Sequence, residues 1–280
     1  MIPPDPHVLA RRLGAALDTA ARRWSALRGA PVQVEPATLR TTVGYTLPMW
    51  VHRCGAAGPS PALVLCPPHG SAAAAFSGPN SLLDADALAR AGFVVLRFDP
   101  PGRGDATGEE DFGGPEHQDA VRVAVAHLRA TPGVDAARIG ILSLFSGLSM
   151  AAGAAAPSGA AFLLDVEGPA DRETLAAELP EALGPDALWW GDREPVGLLG
   201  GFRGAYVRVQ GAVDLARPGE IRHALRMVRA AVDAGVPFVQ LNDHAPGEVP
   251  VRPRWIGNSP REVRAAALRK ALALAGVAPG

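Results

Sequence analysis

Short apolar runs and helical patterns alternate along most of this chain. From Pro31 onward, "ALVLC" (62 to 66), "FVVLRF" (93 to 98), "IGILSL" (139 to 144), "AFLLD" (161 to 165), "AYVRVQ" (205 to 210) and "PFVQL" (237 to 241) are nearly continuous in apolar character. That suits strands covered on both faces. Between them, helical spacing of apolar positions predicts helices over 81–91, 116–130, 146–156, 219–234 and 260–275. Strands separated by helices are the signature of crossover connections in a mostly parallel sheet, so the fold class is α/β. Upstream, "PVQVE" and "LRTTVGYTLPMWVHR" alternate apolar and polar positions around the breakers Gly44 and Pro48, and an antiparallel edge meander is expected there.

Two segments depart from this rhythm. In "HVLARRLGAALDTAARRWSAL", Val8, Leu9, Leu13, Ala16 and Leu17 fall near helical spacing behind prolines suited to a helix start, and residues 1–30 are expected to form a docking helix. Between Asp171 and Gly204 the chain is helical in pieces, broken at Pro180, Pro185 and Pro195, with adjacent Trp189 and Trp190. An insertion after a central strand sits over the crevice at the carboxyl ends of the strands, so 171–204 is read as a cap whose tryptophans face a substrate pocket. An ordinary packed excursion fits that segment equally well.

Composition narrows the picture. A chain of 280 residues, 48% hydrophobic and 20% charged, is long enough for a single domain with a full core. With 27 basic and 28 acidic residues and a net charge of -1, it carries no electrostatic footprint for nucleic acid or an anionic membrane. Cys54 and Cys66 cannot build a disulfide framework and have no metal-ligand spacing, and Arg11, Arg12, Arg22 and Arg23 interrupt the N-terminal apolar positions. A cytoplasmic protein without a signal peptide or membrane anchor is the expectation. The acidic run "GEEDFGGPEHQD" lacks regular ligand spacing, and in "PGRGDATG" the third glycine comes one place late for a dinucleotide loop. No cofactor and no metal are expected.

Three segments carry the chemistry. "LCPPHGS" (65 to 71) follows a strand, "LARAGFVVLRFDPPGRGDATG" (88 to 108) ends a strand in Asp99 and a Gly-rich loop, and "RIGILSLFSG" (138 to 147) enters a sharp turn. This order resembles the α/β-hydrolase fold over roughly residues 40 to 245. "SLFSGLSMAAG", "FLLDVEGPADR", "WWGDREP" and "YVRVQGAVD" are similar to a bacterial and archaeal subgroup in which the turn reads S-x-S-x-G. The resemblance implies a hydrolase of small ester, thioester or amide substrates, with a nucleophile after the fifth strand, an acid after the seventh and a histidine after the eighth.

At such a turn strand and helix cross with almost no room, so small residues are needed two places before and after the tip. Ser143 and Gly147 put Phe145 at the tip; Ser146 or Ser143 there would crowd the crossing with larger residues. Ser149, flanked by Gly147 and Ala151, competes. It would require a strand of about 30 Å and leave a helix of only about 11 Å, against about 20 Å and about 16 Å with Phe145 at the tip. A phenyl ring cannot attack a carbonyl. Ser146 and Ser149 are the substitute nucleophiles, each weighed against a small helix residue kept for packing.

The resemblance assigns Asp214 as the acid and His244, thirty residues on, as the histidine. A turn or cap residue and a solvated loop histidine are the plainer alternatives. Backbone N–H groups of Gly70 or Ser71, together with that of Ser146, are the expected oxyanion donors, and His69 a loop-shaping residue. Two other outcomes stay open. One is a catalytically inactive protein binding a small ligand or partner, the other a general base formed by His244 and Asp214 acting without a covalent intermediate.

Overall fold

A computed structural model describes residues 31–55, 58–78, 80–176, 187–214, 222–257 and 259–276. The N-terminal segment expected to dock as a helix, the stretch 177–186 of the insertion and residues 219–221 of a predicted helix lie outside them. The strands are β1 (Val32–Arg40), β2 (Thr46–Cys54), β3 (Ser60–Cys66), β4 (Val94–Phe98), β5 (Val134–Leu144), β6 (Phe162–Val166), β7 (Ala205–Val209) and β8 (Phe238–Leu241). They form one sheet in the order β1-β2-β4-β3-β5-β6-β7-β8. β1 and β2 pair antiparallel, β2 runs antiparallel to β4, and every later neighbour is parallel. The polar-apolar alternation upstream thus became the edge meander, and the apolar runs became the parallel centre.

The helices are α1 (Ala85–Arg90), α2 (Pro115–Ala130), α3 (Leu148–Ser158), α4 (Arg172–Ala176), α5 (Ala187–Gly191), α6 (Pro195–Leu198), α7 (Arg222–Asp233) and α8 (Pro260–Gly276). α1 starts later than its apolar pattern because the Asp84 carboxylate caps it, accepting the Ala87 N–H at 3.3 Å. Two apolar layers enclose the sheet. One packs Ala120, Val121, Val125, Ala151, Met227 and Val228 on one face; the other packs Leu88, Ala89, Val263, Ala267 and Ala271 on the opposite face. Each fully buried leucine or valine in them contributes about 1.5–3 kcal/mol.

Register places the site. Cys66 pairs with Ser143, Ser143 with Asp165, and Val166 with both Leu144 and Val209. β3, β5, β6 and β7 therefore end side by side, and the segments at 67–71, 145–147, 167–170 and 210–214 share one edge of the sheet. In an open parallel sheet that carboxyl edge is where ligands bind.

Candidate functional site

β5 ends at Leu144, and the chain turns through a single 3-10 turn, Phe145–Gly147, into α3. Phe145 takes a left-handed φ of 50°. That conformation costs a non-glycine residue about 1–3 kcal/mol and persists only where its surroundings dictate it. The surroundings here are main chain: a Cβ on Gly147 would lie 2.5 Å from the Cys66 carbonyl oxygen and 2.7 Å from that of Pro67. Glu167 and Asn242, the first residues past β6 and β8, are left-handed as well, at 55° and 47°. Asn242 continues the sheet with its side chain, accepting the Gln210 N–H at 2.9 Å and donating to the Gln210 carbonyl at 3.0 Å.

The serines flanking the tip differ in placement. Ser146 is turned back onto the β3 loop, where its Oγ accepts the His69 N–H at 2.7 Å. Ser149 is fully buried, and its hydroxyl has no hydrogen-bond partner among the described residues. It is sealed by the turn at Phe112 and Gly113, since a Cβ on Gly113 would stand 2.5 Å from the Ser149 Cβ. A nucleophile needs an approach path, and Ser149 has none in this arrangement.

The amides of the β3 loop point in different directions. Ser71 gives its N–H to the Pro68 carbonyl at 3.1 Å, closing a turn, so it is not available to an oxyanion. Gly70, with φ 69°, stands exposed on the rim. His69, half-buried like Ser71, directs its N–H at Ser146. Arg103 holds this loop from below, donating to the carbonyls of Pro68 (3.0 Å) and Ser71 (3.4 Å) and clasping both Glu110 oxygens at 2.6 and 2.8 Å. Burial works to raise the Glu110 carboxyl, yet the Arg103 guanidinium overrides it and holds the group below the usual carboxylate range. Glu110 also stands 4.0 Å from His69 Nδ1 and 3.8 Å from His117 Nε2. The acidic run is thus engaged by arginines: Glu110 by Arg103, Asp111 by Arg193 and Asp119 by Arg122.

Asp214 and His244 have different hydrogen-bond partners. Asp214 is buried at the end of the β7 loop, and its Oδ2 receives His223 Nε2 at 2.9 Å and Gln210 Nε2 at 3.2 Å. His223 comes from the first turn of α7. His244 Nε2 instead accepts the Arg254 N–H at 2.7 Å, and its Nδ1 lies 3.6 Å from Glu248. A ring nitrogen already accepting an amide proton has no lone pair for a substrate proton.

Behind Asp214 runs a buried polar chain centred on Asp165. The Asp165 carboxylate accepts from Tyr206 Oη (2.6 Å), Arg208 (2.7 Å) and the Gly168 N–H (2.9 Å). Arg208, fully buried, also binds the Gly168 carbonyl at 2.6 Å and Gln210 Oε1 at 2.5 Å, and reaches His223 Nδ1 at 3.4 Å. Burial lowers the Arg208 guanidinium's affinity for its proton, while Asp165 and Tyr206 oppose this and leave it raised. The tyrosine hydroxyl is pushed up by burial and by Asp165. A signal was present: an arginine in the apolar run "AYVRVQ", opposite an aspartate in "AFLLD", is a buried charge with its partner one strand away.

The described part of the insertion packs against the segment between β4 and α2. Trp190 is buried, Trp189 half-buried, and their rings meet edge-on at 4.9 Å. Trp189 carries the Arg193 guanidinium on its face at 4.0 Å and lies 6.1 Å from Phe112, whose ring is 5.0 Å from His69. Arg193 binds Asp111 and the Asp111 carbonyl, and Gln118 donates to the Asp192 carbonyl at 2.7 Å. Among the described residues, no group of three or more His, Cys, Asp or Glu is placed to hold a metal ion, and no helix is long and apolar enough to cross a membrane.

No protein-family model matches the chain, and no curated protein matches it. Solved structures do. Dipeptidyl peptidase 4 from Porphyromonas gingivalis is 22% identical over 74% of this chain, with a TM-score of 0.55, and the chain spans 31% of its length. An esterase from Pyrococcus furiosus is 15% identical, with a TM-score of 0.56, over 78% of this chain and 83% of the other. A putative dienelactone hydrolase from Klebsiella pneumoniae is 15% identical, with a TM-score of 0.53, over 75% of this chain and 84% of the other. Likeness at this level of identity speaks for architecture alone. With the strand order and the turn after β5, it gives the chain the α/β-hydrolase fold.

Proposed function

We propose that this chain is a hydrolase-fold protein in which Phe145 stands where relatives carry a serine nucleophile, and that it binds a small apolar ligand at the carboxyl edge of the sheet without forming an acyl-enzyme. The observation that carries this reading is the left-handed Phe145 between β5 and α3. The proteins it resembles bear the names of an esterase, a dienelactone hydrolase and a peptidase, which supports a hydrolase lineage. Three further observations support the loss of covalent chemistry: Ser149 is sealed, Ser146 is engaged by a backbone amide, and Asp214 serves His223. The aromatic side chains Phe112 and Trp189, beside His69, supply an apolar wall for a ligand.

A fluorophosphonate probe should leave the native protein unlabelled, p-nitrophenyl esters should turn over no faster than in buffer, and apolar small molecules should raise the melting temperature. Labelling of Ser146 or Ser149, abolished by His244→Ala, would overturn the reading and restore hydrolysis of small esters, thioesters or amides. The general-base alternative through His244 and Asp214 has less support, because the Arg254 amide occupies His244 Nε2.

A further inference from the structure

We infer that the Ser146 hydroxyl acts as a built-in stopper on the amide that would polarise a carbonyl, so that the ligand of this site is held by apolar contact and not by an acyl oxygen. The inference rests on the reading of Phe145 given above and goes further by naming what the site refuses. In this fold the anion-stabilising pair is one N–H from the loop after β3 and one from the residue after the tip. The β3 loop has few donors to offer. Pro67 and Pro68 have none, Ser71 is closed onto Pro68, and Gly70 stands exposed, where water competes for its amide. The inner donor is His69, and its one proton points at Ser146 Oγ from 2.7 Å.

Geometry keeps the stopper in place. Ser146 is 5% exposed and follows a residue whose backbone is fixed by the crossing of Gly147 with Cys66 and Pro67. Turning the hydroxyl away would leave the His69 amide without this acceptor in a part-buried site, which costs a backbone donor a hydrogen bond. The site therefore presents a satisfied amide to an incoming ligand. A carbonyl oxygen gains nothing there that Ser146 does not already supply, while an apolar group loses nothing.

Two measurements test this. In native protein and the S146A variant, amide hydrogen exchange at His69 should differ at least tenfold, faster without the hydroxyl, with other β3-loop amides unchanged; equal exchange would overturn the assignment. In a second pair, F145S and F145S/S146A, a fluorophosphonate needs both a hydroxyl at the tip and an open amide for its P=O oxygen. Attack by the introduced oxygen on phosphorus expels fluoride and releases the hydroxyl proton to solvent. The double variant should label at least tenfold faster than the single one. Equal rates, including no labelling of either, would overturn the stopper. Labelling of the native protein is a separate result and would sink only the reading of Phe145.

Discussion

Acid should weaken the turn that seals Ser149, and His117 is the group through which it acts. The ring lies fully buried in the first turn of α2, with Nδ1 accepting the Gly113 N–H at 3.1 Å and Nε2 facing the Pro101 carbonyl at 2.9 Å. The Asp111 N–H also approaches Nε2, at 3.4 Å, but the Pro101 carbonyl is the closer partner, and with Gly113 donating to Nδ1 it calls for a neutral imidazole protonated on Nε2. A second proton on Nδ1 would set donor against donor. Burial, with the Arg103 guanidinium nearby, pushes the ring from its ordinary 6.5 down to about 4, against the pull of Glu110. The unfolded chain takes up this proton near 6.5 and the folded one only near 4, so the contribution is fully present above that window and is lost as pH falls through it. At about 1.36 kcal/mol per pH unit the whole window is worth about 3 kcal/mol, most of it between pH 6.5 and 4.5. His52 and His127 are lowered too, chiefly by burial, and add loss of the same sign. The comparison is therefore between native protein and His117→Asn, whose amide oxygen can accept from Gly113 but which cannot charge. Urea unfolding at pH 7, 6, 5 and 4.5 should show native stability falling by about 2–3 kcal/mol more than that of the variant. Parallel pH dependence in the two proteins would refute the argument.

Other consequences follow from single contacts. Arg208→Met should cost about 3–5 kcal/mol in chemical denaturation, because it leaves the Asp165 carboxylate buried without its cation; a loss below about 1 kcal/mol would contradict this. Gly147→Ala should lose at least about 2 kcal/mol or fail to accumulate as folded protein, since its methyl would meet the β3 backbone, which cannot swing aside. The Cys66 thiol, raised by burial, should ignore a disulfide reagent in native protein and react on unfolding.

The sheet was legible because its signal is periodic. Runs such as "ALVLC" and "IGILSL" need cover on both faces, and only a helix-flanked parallel centre supplies it. Boundaries were less readable: β5 starts at Val134, five residues before its apolar run, because Val134 pairs with Ser60 and a register shift then carries the strand past 135–138 to Ile139 opposite Ala62. The site was harder still. Which imidazole meets Asp214 depends on where α7 lies on the sheet; His223 is nine residues away and His244 thirty, and spacing alone cannot choose. A turn residue such as Ser71 carries no mark in the sequence of whether its N–H points inward or back onto Pro68.

At the bend after β5 the closest crossing is between peptide groups, where Gly147 lies against the carbonyls of Cys66 and Pro67. Such a crossing is indifferent to the side chain at the apex, so shape and reactivity at position 145 are separable properties. Substitutions there can change what the edge of the sheet will accept while the contour beneath stays as it is.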